Sequence, residues 1–414
     1  MDYRNSSARR KTLALVLEGS DCSGWHGLTQ RRASPALPFG GHHRIVDYVL
    51  SNCIHSAIPN VAVVTEHHTD TLVGHLQRNW LSRGGVRASA IQIWPLVDSP
   101  SDEAANDAQT SDRSCVKLLQ ALDPDDVLVL SGSQIYEMDY TSVLEGHMST
   151  GADVTMACVE TSGNAHRHFG LVETDPECGL TGFIEQSDYA LAPVRPDHAV
   201  WAAMGVFVFS ADYLIDCLSA EPVRRETLHD SICGMLPKIV GNANIVASPF
   251  RSPDGGTGYW SDVCGIDSYW SAHMDLLHGR THTLARVREW PILGSHCAAM
   301  PSRIRPCASI DNCIVASDTD VSGAVQRSIL SRGCRIDKGS GISDSVLLPN
   351  ATVGRNCVLN RVIVDSHCHV PDDAVLDATY LSDVSSHFVS PDGIVLVTAE
   401  SLSRYGMRSA VGLN

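Results

Sequence analysis

Short aliphatic runs at residues 13–17, 61–65, 127–130 and 154–159 punctuate the first half of the chain, with longer mixed segments between them. Buried parallel strands joined by crossover helices read in this way. Residues 45–57 follow helical spacing, with Ile45, Tyr48, Val49 and Asn52 near one face, and Pro59 ends the pattern. The chain therefore opens as strand, loop, helix, strand. Another apolar strand is expected at 204–209, and a helix at 269–277 closes this domain. The N-terminal residues 1–10 read as a disordered arm.

From about residue 310 the grammar changes. Helical periodicity vanishes and aliphatic residues recur six apart, as at Ile336 and Ile342, or Leu347 and Val353; Val358, Val364, Val370 and Leu376 keep the same step. One short strand per triangular side of a β-helix has this period, and stacked coils bury the recurring aliphatics. Val358, Val364 and Val370 are expected in the interior. A β-sandwich, with turn signals about every eight to twelve residues, would not keep the step. The partition is an arm at 1–10, an α/β domain at 11–280, a linker at 281–300 containing Pro291, and a β-helix at 301–414.

Composition narrows the function classes. With 414 residues, 43% of them hydrophobic, the chain can bury more than one core. A formal charge of -16 argues against nucleic acid or an anionic membrane as the main partner. The longest apolar runs fall far short of a membrane span. Fourteen scattered cysteines without paired CxxC spacing fit a reducing, cytoplasmic setting. His367, Cys368 and His369 are adjacent, so their side chains should alternate between faces rather than share a metal. The pairs His42-His43 and His67-His68 read as solvated surface residues.

The segment Arg32-Ala33-Ser34-Pro35-Ala36, then Gly40-Gly41-His42-His43-Arg44-Ile45-Val46-Asp47-Tyr48 and Leu50-Ser51-Asn52-Cys53-Ile54, resembles the opening of bacterial ADP-glucose pyrophosphorylases. The likeness continues through Gln77-Arg78-Asn79-Trp80, Phe169-Gly170, Tyr259-Trp260-Ser261-Asp262-Val263 and Gly393-Ile394-Val395-Leu396-Val397-Thr398, covering nearly the whole chain. It implies an α/β class protein: a nucleotidyltransferase, Rossmann-like domain followed by a left-handed parallel β-helix. It also implies glucose-1-phosphate adenylyltransferase chemistry in glycogen biosynthesis, in which ATP and glucose 1-phosphate give ADP-glucose and pyrophosphate with Mg²⁺ as cofactor.

Several motif positions depart from the family pattern. The phosphate loop reads Glu18-Gly19-Ser20-Asp21-Cys22-Ser23-Gly24-Trp25, so Gly19 is kept, later glycines are replaced, and Gly24 stands where the family has arginine. Glu18 and Asp21 place carboxylates where phosphates would lie, and a like-charge contact near 4 Å costs about 4 kcal/mol at an effective dielectric of 20. Ser131-Gly132-Ser133-Gln134 puts Ser133 at the position of the family's metal aspartate, while Asp262 matches the other metal carboxylate. No intact metal site remains on this reading, and Asp262 is a relic ligand or a structural acceptor. Phe183-Ile184-Glu185-Gln186-Ser187 has Gln186 for the lysine that meets the sugar phosphate, with Glu185 and Gly170 still able to contact sugar. The nucleotide motif is reduced to Ala104-Ala105-Asn106-Asp107-Ala108, and the S-M-G near the sugar becomes Ala203-Met204-Gly205.

Arg31, Arg32 and Arg44 remain as candidate cations of the family's regulatory site for phosphorylated effectors, with Ser34 replacing a lysine. The expectation is a catalytically impaired regulatory or structural paralogue, a homo-oligomer or a hetero-oligomer with an intact homologue. Two alternatives stand beside it: an active ADP-glucose synthase with relocated ligands, which would use Mg²⁺, and a stand-alone sensor of sugar phosphates.

Overall fold

The computed structural model describes residues 10–19, 23–66, 69–81, 91–96, 108–161, 170–184, 200–220, 227–251, 258–279, 290–294, 300–379 and 387–403. The arm at 1–9, His67-His68 and most of the expected linker lie outside these residues. The chain divides into two compact units. The first comprises Met1–Ser20, Val49–Thr69 and Val73–Trp260; the second comprises Asp21–Tyr48, Asp70–Leu72 and Ser261–Asn414.

In chain order, β1 (Thr12–Leu17) precedes a short hairpin, β2 (Pro38–Phe39) and β3 (His43–Arg44), and then α1 (Ile45–His55). Next come β4 (Asn60–Thr65), α2 (Asp70–Leu76), β5 (Ile91–Pro95), α3 (Ala108–Leu122), β6 (Asp126–Ser131), β7 (Gln134–Tyr136) and α4 (Tyr140–Thr150). They are followed by β8 (Val154–Thr161), β9 (Leu171–Thr174), β10 (Leu180–Ile184), β11 (Val200–Ser210), α5 (Ala211–Ser219) and α6 (Leu228–Ile239). β12 (Ile245–Pro249), β13 (Trp260–Asp262) and α7 (Ile266–Leu277) complete the series.

In the first unit, β5, β4, β1 and β6 run parallel side by side; β1, β4 and β6 are aliphatic runs buried on both faces, and β5, at the end of the order, keeps Gln92 exposed. β11 then pairs antiparallel with β6, β8 and β9, and β12 lies parallel to β8. The core on one face joins Leu13, Leu15 and Leu17 of β1 to Val127 and Val129 of β6, with Leu118, Leu119, Leu214 and Ile232 supplied by α3, α5 and α6. α1 stops at His55 rather than at 57, because the chain turns through Ala57 in the left-handed region, at φ 54°. The expected strand at 204–209 is the second half of the 11-residue β11.

In the second unit, residues from 303 onward form three sheets, one per side of a β-helix, with all strands parallel except Phe388–Val389, which joins Val395–Val397 antiparallel. Strands starting at Arg335, Thr352 and His369 stack directly, so the coil repeats every seventeen residues there. The buried stack runs through Ile336, Ile342, Leu347, Val353, Leu359, Val364, Val370 and Leu376. Seventeen is not three sixes, so one side of each coil takes a five-residue step, from Ile342 to Leu347 and from Leu359 to Val364. This corrects the placement of Val358, which is 49% exposed, while its neighbour Leu359 is wholly buried. Val364 and Val370 do fill the interior.

Corners turn through left-handed residues, among them Gly333, Asn350 and His367, stacked one per coil. His367 therefore belongs to a corner, Cys368 is buried, and His369 is exposed with Nδ1 2.7 Å from the Thr352 hydroxyl. No helix among the described residues is long and apolar enough to cross a membrane.

Candidate functional site

The carboxyl ends of β1, β4 and β6 lie side by side in the first unit, and the crevice beyond such strand ends is where open α/β sheets bind ligands. β6 ends at Ser131, and the Gly132 amide donates to the Leu17 carbonyl at 2.8 Å, pulling the two strand ends together. Ser133 follows, buried, with its amide 3.4 Å from Ser131 Oγ. Gly19 passes so near that a Cβ there would lie 2.7 Å from Ser133 Oγ. A side chain at 19 would therefore meet the Ser133 hydroxyl.

Mg²⁺ takes charged oxygen ligands in a strict geometry. The side-chain oxygens at the end of β6 are hydroxyls, and no group of three or more His, Cys, Asp or Glu among the described residues could hold a metal. The donors at this strand end do not fit the ion. Asp262, at the end of β13 in the second unit, is half-buried.

Carboxylates have collected nearby. Glu18 accepts a hydrogen bond from the Glu66 amide at 3.4 Å, joining the ends of β1 and β4. Glu66 Oε1 accepts from the Leu228 amide at 2.9 Å, at the start of α6, while Oε2 is buried without a partner among the described residues. Burial pushes the Glu66 carboxyl up to about 7, with Asp230 and Asp112 adding to the rise. Asp112 on α3 is pushed by burial to about 6, and its Oδ1 is likewise unpartnered among the described residues. The sequence reading missed this pair. Glu66 could have been noticed as an acid directly following a buried strand, whereas Asp112 sits on an amphipathic helix where nothing marks it.

Gly170 lies against Phe183, whose ring would be 2.0 Å from a Cβ, and its carbonyl accepts from the Ala203 amide at 3.0 Å. Ala203, Met204 and Gly205 fall in β11, where the register with β8 shifts between Ala203 and Phe207 and Gly205 takes φ +72°. Asp107, Glu185 and Gln186 lie outside the described residues, as do Ser20, Asp21 and Cys22. Gly24, in the second unit, is hemmed by the Cys264 carbonyl, 3.1 Å from where its Cβ would stand.

The three arginines expected to meet effectors differ in their surroundings. Arg32 is ion-paired with Asp365, donates through Nη1 to Ser366 Oγ at 3.3 Å and through Nε to the Leu28 carbonyl at 2.8 Å, and its side chain is 14% exposed. Arg44 donates to the Ala36 carbonyl at 2.6 Å, and its amide donates to Asp47 Oδ2 at 2.8 Å. Arg31 is exposed.

The family described as Nucleotidyl transferase matches residues 13–279, and the one described as GlmU-like, C-terminal hexapeptide matches residues 301–397. The chain is 35% identical over 413 residues to a glucose-1-phosphate adenylyltransferase of Paraburkholderia phytofirmans, covering 96% of this chain and 98% of that protein. Proteins of the same name from Methylococcus capsulatus, 33% identical over 96% of both chains, and Thiobacillus denitrificans, 35% identical over 95% of this chain and 92% of the other, are similar along the same span. A parallel-sheet nucleotidyltransferase unit, a β-helix and full-length likeness coincide, and the chain belongs to the glucose-1-phosphate adenylyltransferase family.

Proposed function

We propose that this chain is a catalytically impaired member of its family that serves glycogen synthesis as a regulatory or structural partner of an intact homologue. The observation that carries the reading is Ser133, a buried hydroxyl against Gly19 at the end of β6. In the family reaction an oxygen of glucose 1-phosphate attacks the α-phosphorus of ATP, the bond to the β,γ-diphosphate breaks, and pyrophosphate leaves. Mg²⁺, where held, neutralises the charge that builds on the phosphates. Here the strand end supplies hydroxyls, and Glu18 adds negative charge beside the phosphate loop. Removing one preorganised electrostatic contact typically costs on the order of a hundredfold in rate. Arg31 is the effector-site cation left at the surface, so response to a phosphorylated effector is weakened rather than lost.

One second reading is an active enzyme whose metal ligands have moved; the Glu18 and Glu66 carboxylates at the ends of β1 and β4 favour it, although no three acids among the described residues are grouped to hold a metal. A turnover assay of the purified chain with ATP, glucose 1-phosphate and Mg²⁺ separates the two. Turnover of about one per second or more would establish the second and overturn the first.

A further inference from the structure

One corner of the β-helix is shorter than the corners stacked on it. Ile336 and Gly341 are separated by Asp337, Lys338, Gly339 and Ser340, and Val353 and Val358 by Gly354, Arg355, Asn356 and Cys357. In the coil before them, Val321 and Ala324 are separated by Ser322 and Gly323 alone. The strands on either side still stack in register, so the missing length is taken wholly from the corner. Gly323 is drawn in under the next coil, where a Cβ would lie 2.4 Å from the Ser340 carbonyl oxygen and 2.9 Å from Ile336 Cγ2. The following corners overhang it.

The recess is a cavity of about 680 Å³ lined by Ser322, Arg335, Asp337, Lys338, Gly339, Arg355 and Asn356. Its volume is within the usual range of small-molecule pockets, about 300–1,000 Å³. Among its lining residues Arg335, Lys338 and Arg355 bring three positive charges against one negative, Asp337, in a protein of formal charge -16; Asp372 and Asp373 of the next corner accept from the Arg355 amide at 2.8 Å and from the Asn356 side chain at 3.1 Å. Asp337 stands 3.7 Å from Arg335 Nε, and among the described residues no acid pairs with Lys338 or Arg355. Three other arginines of this solenoid are paired with acids, Arg305 with Asp320, Arg327 with Asp344 and Arg332 with Asp318, and Arg361 lies over the Trp270 ring, 4.4 Å from its centroid.

We propose that this recess binds a small phosphate-bearing anion, with Lys338 and Arg355 as its principal cations. An arginine fork and a lysine point charge, beside the Ser322 hydroxyl, match the oxygens of a phosphate group. The site lies within the β-helix, and the inference does not depend on whether the chain turns over.

Equilibrium binding of radiolabelled inorganic phosphate to the full chain, at ionic strength held constant with sodium chloride, tests it. Saturable binding is expected, weakened at least about tenfold, or ~1.4 kcal/mol, in the double variant Lys338→Ala/Arg355→Ala and unchanged in Lys117→Ala, which alters an exposed lysine of α3. A second variant inserts two residues, Ala-Gly, between Ser322 and Gly323, giving the corner the length of its neighbours. Filling the recess should abolish binding while circular dichroism shows the β-structure retained. Absence of saturable binding, or binding untouched by both the double substitution and the insertion, overturns the proposal.

Discussion

Arg32 and Asp365, one near the start of the second unit's chain and the other on the β-helix, form an ion pair whose side chains are 14% and 18% exposed. Removing one partner leaves the other's charge in a largely dry setting, which is costlier than losing a surface pair. Arg32→Ala is expected to lower stability by about 2–4 kcal/mol and Asp365→Asn by a similar amount. In a double-mutant cycle followed by urea unfolding, the paired variant should cost well under the sum of the two. Additive losses would mean that the pair contributes no coupling.

Glu66 gives the chain a pH signature. Its carboxyl titrates near 7 in the folded protein instead of 4.5, because burial disfavours the charged form. Below pH 4.5 folded and unfolded chains are both protonated and nothing is lost. As pH rises towards 7 only the unfolded chain ionises, so stability falls across that window and levels off above it. Glu66→Gln should leave stability at pH 4.5 nearly unchanged and raise it at pH 8 by about 1–3 kcal/mol. Denaturant unfolding at the two pH values measures this, and equal effects at both would show that Glu66 ionises freely.

The purified chain should form ADP-glucose at least about a hundredfold more slowly than an intact relative. Ser133→Asp alone should not restore turnover, because groups that act as a unit are strongly non-additive and Glu18 still flanks the loop. Substantial rescue by that single change, read by pyrophosphate release, would show that Ser133 carries the whole deficit.

The phase of the β-helix is testable by two neighbouring substitutions. Leu359→Ala empties a buried position and should cost about 2–5 kcal/mol. Val358→Ala alters an exposed side chain and should fall within about 0.5 kcal/mol of wild type. Thermal unfolding distinguishes them, and a larger loss at Val358 would put the six-residue step back in force.

The sheet was readable from sequence because β1, β4, β6 and β8 are continuous aliphatic runs that only burial on both faces explains. Family and β-helix were readable too, since local motifs and a repeating period need no tertiary knowledge. Val358 misled because a seventeen-residue coil and a strict six-residue step agree for several strands before they part. The short corner at Ser322-Gly323 was also hidden, although the four-residue step from Val321 to Val325 was its trace. Arg32 and Asp365, or Glu66 and Asp112, are far apart in sequence and joined only by folding. Among the expected site residues, Gly19, Ser133 and Gly170 have their surroundings described, whereas Asp107, Glu185 and Gln186 fall outside the described residues.

β11 stands between β6 and β9, and β8 also pairs with it. A chain emerging from the ribosome therefore holds the edge of β6 open until β11 arrives, about eighty residues later, roughly 4–16 s at ordinary synthesis rates. During that interval Val127, Leu128, Val129 and Leu130 present an apolar strand edge with no partner on that side. The nascent first unit thus passes through a sticky stage whose length is set by translation rather than by its own folding speed, and pausing between residues 131 and 200 should raise its demand for chaperones.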